Sequence, residues 1–269
     1  MLPRPTLPVP VALASLVAVA VLVACAVSPT GRKQLLIFPE NEVATMGATA
    51  FDQQKQETPI SKDAKTTAYV QCVAGQLLKT MGQRPSEWEV VLFDSPQANA
   101  FALPGRKIGV YSGLLSVANN QHMLAAVVGH EIGHVIAQHS NERLSTQFAT
   151  QQGMAVVQAL GGAMTENKKL LYGALGLGAQ YGLILPYGRK QESEADLIGL
   201  ELTAKSGFDP QQAVTLWQRM SQANPQQPPP WLSTHPSNTA RIHELQAHMA
   251  TALALQQQAR AGGAAPNCQ

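Results

Sequence analysis

Apolar residues at helical spacing, Tyr69, Val73 and Leu77, predict a helix over residues 62–80. Leu124, Val127, Val128, Ile132, Val135 and Ile136 do the same for 121–140. Further helices are expected over 40–56, 191–206, 210–223 and 237–258, with Thr58-Pro59 and Gly207 as breaks. Two stretches read as strands, 88–93 and 107–111. Between them Asp94-Ser95-Pro96 turns the chain, 99–102 lead on, and Pro104-Gly105 turns it again. Residues 114–117 begin a short helical segment. The region 153–186 is rich in Gly, Ala and Leu and is broken by Glu166-Asn167-Lys168-Lys169. Its uncharged part, 170–186, falls short of the ~20 apolar residues a membrane span needs, so a buried or lid-forming helical pair is expected there. A proline-rich loop spans 224–230, and the tail beyond Ala261 reads as loose. The pattern as a whole predicts an α+β fold, mostly helical, with a small sheet and no internal repeat.

The first 25 residues differ from the rest. Arg4 precedes an apolar run over 9–24, interrupted only by Pro10 and Ser15, which has the form of a secretory signal. The run ends Leu22-Val23-Ala24-Cys25, a tetrapeptide that resembles a bacterial lipobox, in which the Cys25 thiol is lipidated and becomes the new N-terminus. An ordinary signal peptide or an uncleaved anchor helix is the alternative. Ala26 rather than Asp after the cysteine suggests the outer membrane. Export would place Cys72 and Cys268 in an oxidising compartment. One pairing is available to them, tying the tail to an early helix; two free thiols or an intermolecular bridge are the other readings. Residues 26–39 read as an extended tether, with Ser28-Pro29-Thr30-Gly31 as a turn.

The chain has 269 residues, 45% of them hydrophobic, and a formal net charge of +2. Its Lys and Arg are scattered, which excludes the basic stripe of a nucleic-acid binder.

The chemistry lies at His130-Glu131-Ile132-Gly133-His134. A helix turns 100° per residue, so His130 and His134 lie on one face and can offer both imidazoles to one ion. Glu131 can then act on a water as general base without being a ligand. This is the pattern of zinc peptidases. Two solvated histidines on a surface helix would be the plain alternative. The flanking residues Val127, Val128, Gly129, Ile132 and Gly133 argue against it. Burying two histidines and a glutamate among such residues is costly unless they are paired or bind metal. The glycines also lower helix propensity. Ala137 and Ser140 occupy the positions where a metzincin has Gly and His, so that subclass is excluded. His139 lies off the ligand face of a continuous helix, either supporting the site or facing solvent. Glu192 and Asp196 share a helix face, which suits a third ligand plus a carboxylate that orients a metal-bound imidazole. Glu194 should face away. An acidic helix N-terminus is the competing explanation of this run.

These residues together resemble the HtpX and Oma type of zinc metallopeptidase, a gluzincin group that includes CAAX prenyl endopeptidases. The likeness covers Thr30-Gly31-Arg32-Lys33-Gln34-Leu35, Asn99-Ala100-Phe101-Ala102-Leu103-Pro104-Gly105, Val128 through His134, Glu192 through Asp196, and Ser233-Thr234-His235-Pro236-Ser237 with Arg241-Ile242. It implies one Zn2+ per chain, held by His130, His134 and Glu192, with catalysis by Glu131. The bacterial periplasmic lipoproteins of the group look most similar. The outer-membrane assembly proteases of the group append a tetratricopeptide-repeat region that is not seen here, which puts a role in barrel assembly in doubt.

The resemblance divides the chain into a lipoprotein signal peptide (1–24), a lipidated N-terminus and tether (25–39), a zinc metallopeptidase domain (40–258) and a tail (259–269). Phe101 to Leu103 and Lys107 to Tyr111 would flank the cleft, where an edge strand can pair with an extended peptide; Asn99, Ala100, Phe101 and Ala102 are the candidate substrate-binding residues, and ordinary core strands are the alternative. His235 would either donate to the oxyanion or take the fourth zinc position in a latent state; a plain loop histidine is the alternative. Arg241 would pair with Asp196 or a backbone carbonyl. The expected substrates are unfolded or damaged envelope proteins at the periplasmic face of the outer membrane. The rival is a noncatalytic or latent zinc-containing lipoprotein that binds clients, against which the intact Glu131 argues.

Overall fold

The computed structural model describes residues 25–159, 188–222, 231, 235 and 239–268, and the larger of its two sheets has three strands. They are β3 (Glu89–Phe93), β4 (Ala100–Leu103) and β5 (Lys107–Tyr111), in the order β3-β5-β4. β3 runs parallel to β5, with Glu89 opposite Lys107 and Phe93 opposite Tyr111. β4 returns antiparallel on the other side, with Ala100 opposite Val110. The outer side of β3 is bridged by the chain around Ile60. Among the described residues no strand covers the outer side of β4. The β4–β5 turn is made by Gly105 and Arg106, both at positive φ (87° and 63°).

Two strands precede this sheet. β1 (Cys25–Val27) and β2 (Lys33–Leu35) form an antiparallel hairpin. The expected turn at Ser28-Pro29-Thr30-Gly31 lies between them, but the extended tether is corrected: its flanks pair with each other and are fastened to the domain through Arg32, described below.

The helices are α1 (Glu40–Glu57), α2 (Ala64–Thr80), α3 (Gln121–Ile136), α4 (His139–Ala159), α5 (Arg189–Lys205), α6 (Gln211–Gln222) and α7 (Thr239–Ala261). Asp63 caps α2, its Oδ1 accepting from the Lys65 and Thr66 amides. Asn120 caps α3 in the same way, through the His122 and Met123 amides. Each satisfies donors that a helix start leaves open.

α3 lies at the centre. It packs along α5, over β4, and against α2 and α6. The core around it includes Leu77, Ile108, Leu124, Val128, Phe208 and Trp217. A second, aromatic cluster of Phe51, Phe93, Phe101 and Tyr111 fills the side of the sheet facing α1.

The periodicity over 121–140 predicted one helix. The structure divides it: α3 stops at Ile136, and Gln138 adopts φ 53° before α4 starts at His139. A side chain at positive φ is uncommon outside glycine and ends regular α-helix. The tail is also corrected. The backbone carbonyl of Pro266 and the amide of Cys268 hydrogen bond to the Gln121 side chain. The sulfur of Cys268 stands 2.03 Å from that of Cys72 in α2, a disulfide. The expected signal peptide and the proline-rich loop over 224–230 lie outside the described residues, as does the helical pair expected over 153–186 apart from 153–159, which continue α4. Among the described residues, no helix is long and apolar enough to cross a membrane.

Candidate metal centre

α3 and α5 approach so closely that side chains are excluded between them. A Cβ on Gly133 would come within 2.8 Å of the Ala195 carbonyl oxygen. One on Gly199 would come within 2.7 Å of the His130 amide nitrogen. Glycine at these positions lets the two backbones meet, which sets His130 and His134 on α3 against Glu192 and Asp196 on α5. The propensity lost in the helix is offset by this contact.

Four donor side chains converge there: His130, His134, Glu192 and His235, whose ligand atoms all lie within 4.8 Å of one another. His130 Nε2 is 3.1 Å from His134 Nε2 and 3.2 Å from His235 Nδ1. Glu192 stands 3.5 Å from both α3 histidines and 3.0 Å from His235 Nδ1. All four are buried. Imidazole and carboxylate donors in this number suit zinc. Arg241 approaches the Nδ1 side of His130, at 3.4 Å, and not the Nε2 that faces the other donors.

Each donor is held from behind. His130 Nδ1 is 2.9 Å from Asp196 Oδ1. Arg241 clamps Asp196 with two bonds, Nε to Oδ2 at 2.6 Å and Nη2 to Oδ1 at 2.7 Å, and reaches Glu192 Oε2 with Nη1 at 2.6 Å. Its guanidinium lies 3.8 Å over the Trp217 ring, a cation–π contact. Glu131 accepts from the Trp231 indole N–H at 2.7 Å and lies 3.3 Å from His235 Nε2.

The electrostatics follow from this packing. Burial opposes charge on His130, but the bond to Asp196 and then Glu192 outweigh it and push its pKa up to about 9. Burial lowers the pKa of His134 far below the ordinary value, and its neighbour His130 adds to the effect. Burial alone would raise Glu192; its bonds to His130 and His235 hold it well below the usual carboxylate range. A depressed carboxylate pKa keeps the anionic, ligating form at neutral pH.

The sequence-derived residues thus fall into two places. His130, Glu131, His134, Glu192, Asp196, His235 and Arg241 meet at this centre. Asn99, Ala100, Phe101 and Ala102 lie along the edge strand and its entry. Asn99 Oδ1 accepts from the Ala100 amide, and the Phe101 ring packs over Gly109 instead of pointing to the centre. Glu194 faces away from the donors, as its helix angle requires. His139 is fully buried, which removes the solvent-facing reading.

Sequence reasoning missed Trp231 and Trp217, which stack on each other at 4.9 Å. One signal was present: Trp231 is four residues before His235, and the His235 amide donates to the Trp231 carbonyl at 2.8 Å. The Trp231 amide also donates to the Ala98 carbonyl at 3.2 Å, so this residue connects Glu131 to the chain entering β4.

A helix presenting two histidines one turn apart with a glutamate after the first, facing a carboxylate from a second helix, defines the gluzincin class of metal site. The chain belongs to peptidase family M48, whose profile matches residues 64–249. It is 36% identical over 183 residues to the mitochondrial metalloendopeptidase OMA1 of Schizosaccharomyces pombe, covering 67% of this chain and 52% of that protein. It is 31% identical over 237 residues to the human OMA1 metalloendopeptidase, covering 81% and 45%. It is 28% identical over 204 residues to the β-barrel assembly-enhancing protease of Escherichia coli, covering 73% and 42%. The chain spans about half the length of the curated relatives it matches.

Proposed function

We propose that this chain is a zinc-dependent endopeptidase that cleaves unfolded or damaged proteins of the bacterial envelope. The observation that carries the reading is the convergence of the His130, His134, Glu192 and His235 donor atoms beside the Glu131 carboxylate. His130, His134 and Glu192 would hold the zinc. A zinc ion there supplies Lewis acidity, polarising a carbonyl and making water acidic near pH 7. Glu131 takes the proton of the attacking water and returns it to the leaving nitrogen. Trp231 fixes one oxygen of that carboxylate and leaves the other for the proton. Asp196 and Arg241 fix the imidazole of His130 and the Glu192 carboxylate.

An extended substrate would add to the uncovered side of β4, beginning near Asn99 and running along Ala100, Phe101 and Ala102, through backbone hydrogen bonds. That mode favours segments without stable structure. Residues 1–24 act as a signal peptide in this reading, and lipid on Cys25 anchors the protein to the periplasmic face of the outer membrane. Residues 25–39 lead to the peptidase domain over 40–258, and 259–269 form the tail.

The position of His235 favours a second state of the same protein. Its Nδ1 lies among the donor atoms, 3.0 Å from Glu192. As a fourth ligand it would close the site and leave a latent or purely client-binding lipoprotein. Swung off, its ring could donate to the oxyanion.

Cleavage of reduced casein beside the Glu131→Gln variant, with zinc content measured in both, tests the proposal. The parent is expected to cleave and the zinc-loaded variant to be inactive. If neither cleaves while both hold zinc, the endopeptidase reading fails for the resting protein. His235→Ala then separates latency, where it gains activity, from a binding role, where it does not.

A further inference from the structure

His134 has a support that the metal site itself does not account for. Its Nε2 faces His130 and Glu192, and its Nδ1 points the other way, 2.8 Å from His139 Nδ1. His139 Nε2 is in turn 3.0 Å from Glu194 Oε2. Glu194 also receives the Thr30 hydroxyl at 2.6 Å and the Arg32 Nε at 2.8 Å. Arg32 continues to Glu142 Oε2 at 2.7 Å, which Gln191 also contacts at 2.6 Å. Both histidine rings and the Glu194 carboxylate are buried.

The break after α3 creates this chain of contacts. In a continuous helix a residue five positions after His134 would lie ~140° around the axis. The left-handed Gln138 turns the backbone instead, and His139 comes back over the His134 ring, their centroids 5.0 Å apart.

The direction of the hydrogen bonds is fixed at the far end. A carboxylate only accepts, so the Nε2–H of His139 donates to Glu194. The remaining nitrogen of a neutral His139, Nδ1, then offers a lone pair to His134. That selects the His134 tautomer with its proton on Nδ1 and its lone pair on Nε2, the side facing the other donors. Asp196 does the same for His130 directly.

We propose that His139 and Glu194 are positioning residues that set the tautomer and ring orientation of His134, with Glu194 seated by Thr30 and Arg32 of the N-terminal hairpin. The proposal rests on the reading that His130, His134 and Glu192 hold zinc. The bland alternative is a buried polar pair that only packs the start of α4 against α5.

Zinc affinity of the full chain in detergent, measured by competition with a chromophoric chelator, separates the two. Unfolding midpoints of the metal-free proteins are recorded alongside. His139→Leu removes the acceptor and is expected to weaken zinc about ten- to a hundredfold. His139→Asn, with a carbonyl oxygen near the Nδ1 position, is expected to recover affinity to within about threefold of the parent. Glu194→Ala should weaken zinc in the parent but cause no further loss in the His139→Leu background, since it acts through His139. Equal affinities in the parent and His139→Leu overturn the proposal, as do equal losses in the Asn and Leu variants. If His139→Leu does not fold, His139→Gln takes its place in the same comparison. A parent that binds no zinc refutes the metal site, a separate result that removes this proposal with it.

Discussion

Trp231 leaves the Glu131 carboxylate with one engaged oxygen. Its indole N–H occupies Oε1 at 2.7 Å, and its ring is fixed by the stack on Trp217, over which Arg241 lies. A base held this way cannot swing toward the metal and become a ligand without losing a charge-assisted hydrogen bond worth about 1.5–3 kcal/mol. Trp231→Phe keeps the ring and drops the donor. Its kcat is expected to fall about 10- to 100-fold with zinc content unchanged, as steady-state kinetics and metal analysis would show. A fall in zinc content instead would place Trp231 in metal retention. The His-Glu-x-x-His run could be read from the sequence because its geometry is local to one helix face. Trp231 could not be read in this way. It meets Glu131 across 100 residues, and only the fold brings them together.

At the scale of elements, the sequence located the helices that carry residues of the centre, α3, α5 and α7, to within a few residues. It failed where the apolar pattern continued across a change of backbone direction. Val135, Ile136 and Ala137 extend the α3 rhythm toward Ser140, and nothing in residue type marks Gln138 as a turn. At the N-terminal hairpin the turn at 28–31 was legible but the pairing of its flanks was not, because Arg32 finds its partners Glu142 and Glu194 only in the folded molecule. The sheet carries its own charged fastening. Glu89 of β3 bonds to Lys55 of α1 at 2.7 Å and to Lys107 of β5 at 2.6 Å. Burial would raise the Glu89 pKa, but the Lys107 and Lys55 ammonium groups outweigh it and hold it low. A folded pKa below the unfolded one, about 4.3, contributes stability that is complete above that pH and fades as pH falls through the folded value. The gap in unfolding midpoint between the parent and Glu89→Gln should therefore be widest near neutrality and narrow progressively as pH falls below the unfolded value. A gap that does not change with pH would show that Glu89 acts through packing.

The whole molecule is closed by the bond between Cys72 and Cys268, which joins α2 to the tail across 196 residues. Tail residues lie over Gly207 at the end of α5, so the clasp bears on the helix that carries Glu192. Replacing both cysteines by serine is expected to lower stability by about 2–4 kcal/mol in chemical unfolding. An unchanged midpoint would mean that the tail's hydrogen bonds to Gln121 hold it unaided. The sequence offered the pairing as one of three options, because two thiols fix a partner only once their Cα atoms are known to be close, here 5.7 Å.

The groups that make the centre are spread along nearly the whole chain, from Thr30 and Arg32 through His130 and Glu192 to Arg241. A ribosome therefore releases the histidine pair long before the helix that braces it. During that interval the nascent polypeptide has two loose imidazoles and no organised centre. Contacts this distant in sequence are slow to form, so the centre takes shape only once the chain is complete through the helix that carries Arg241.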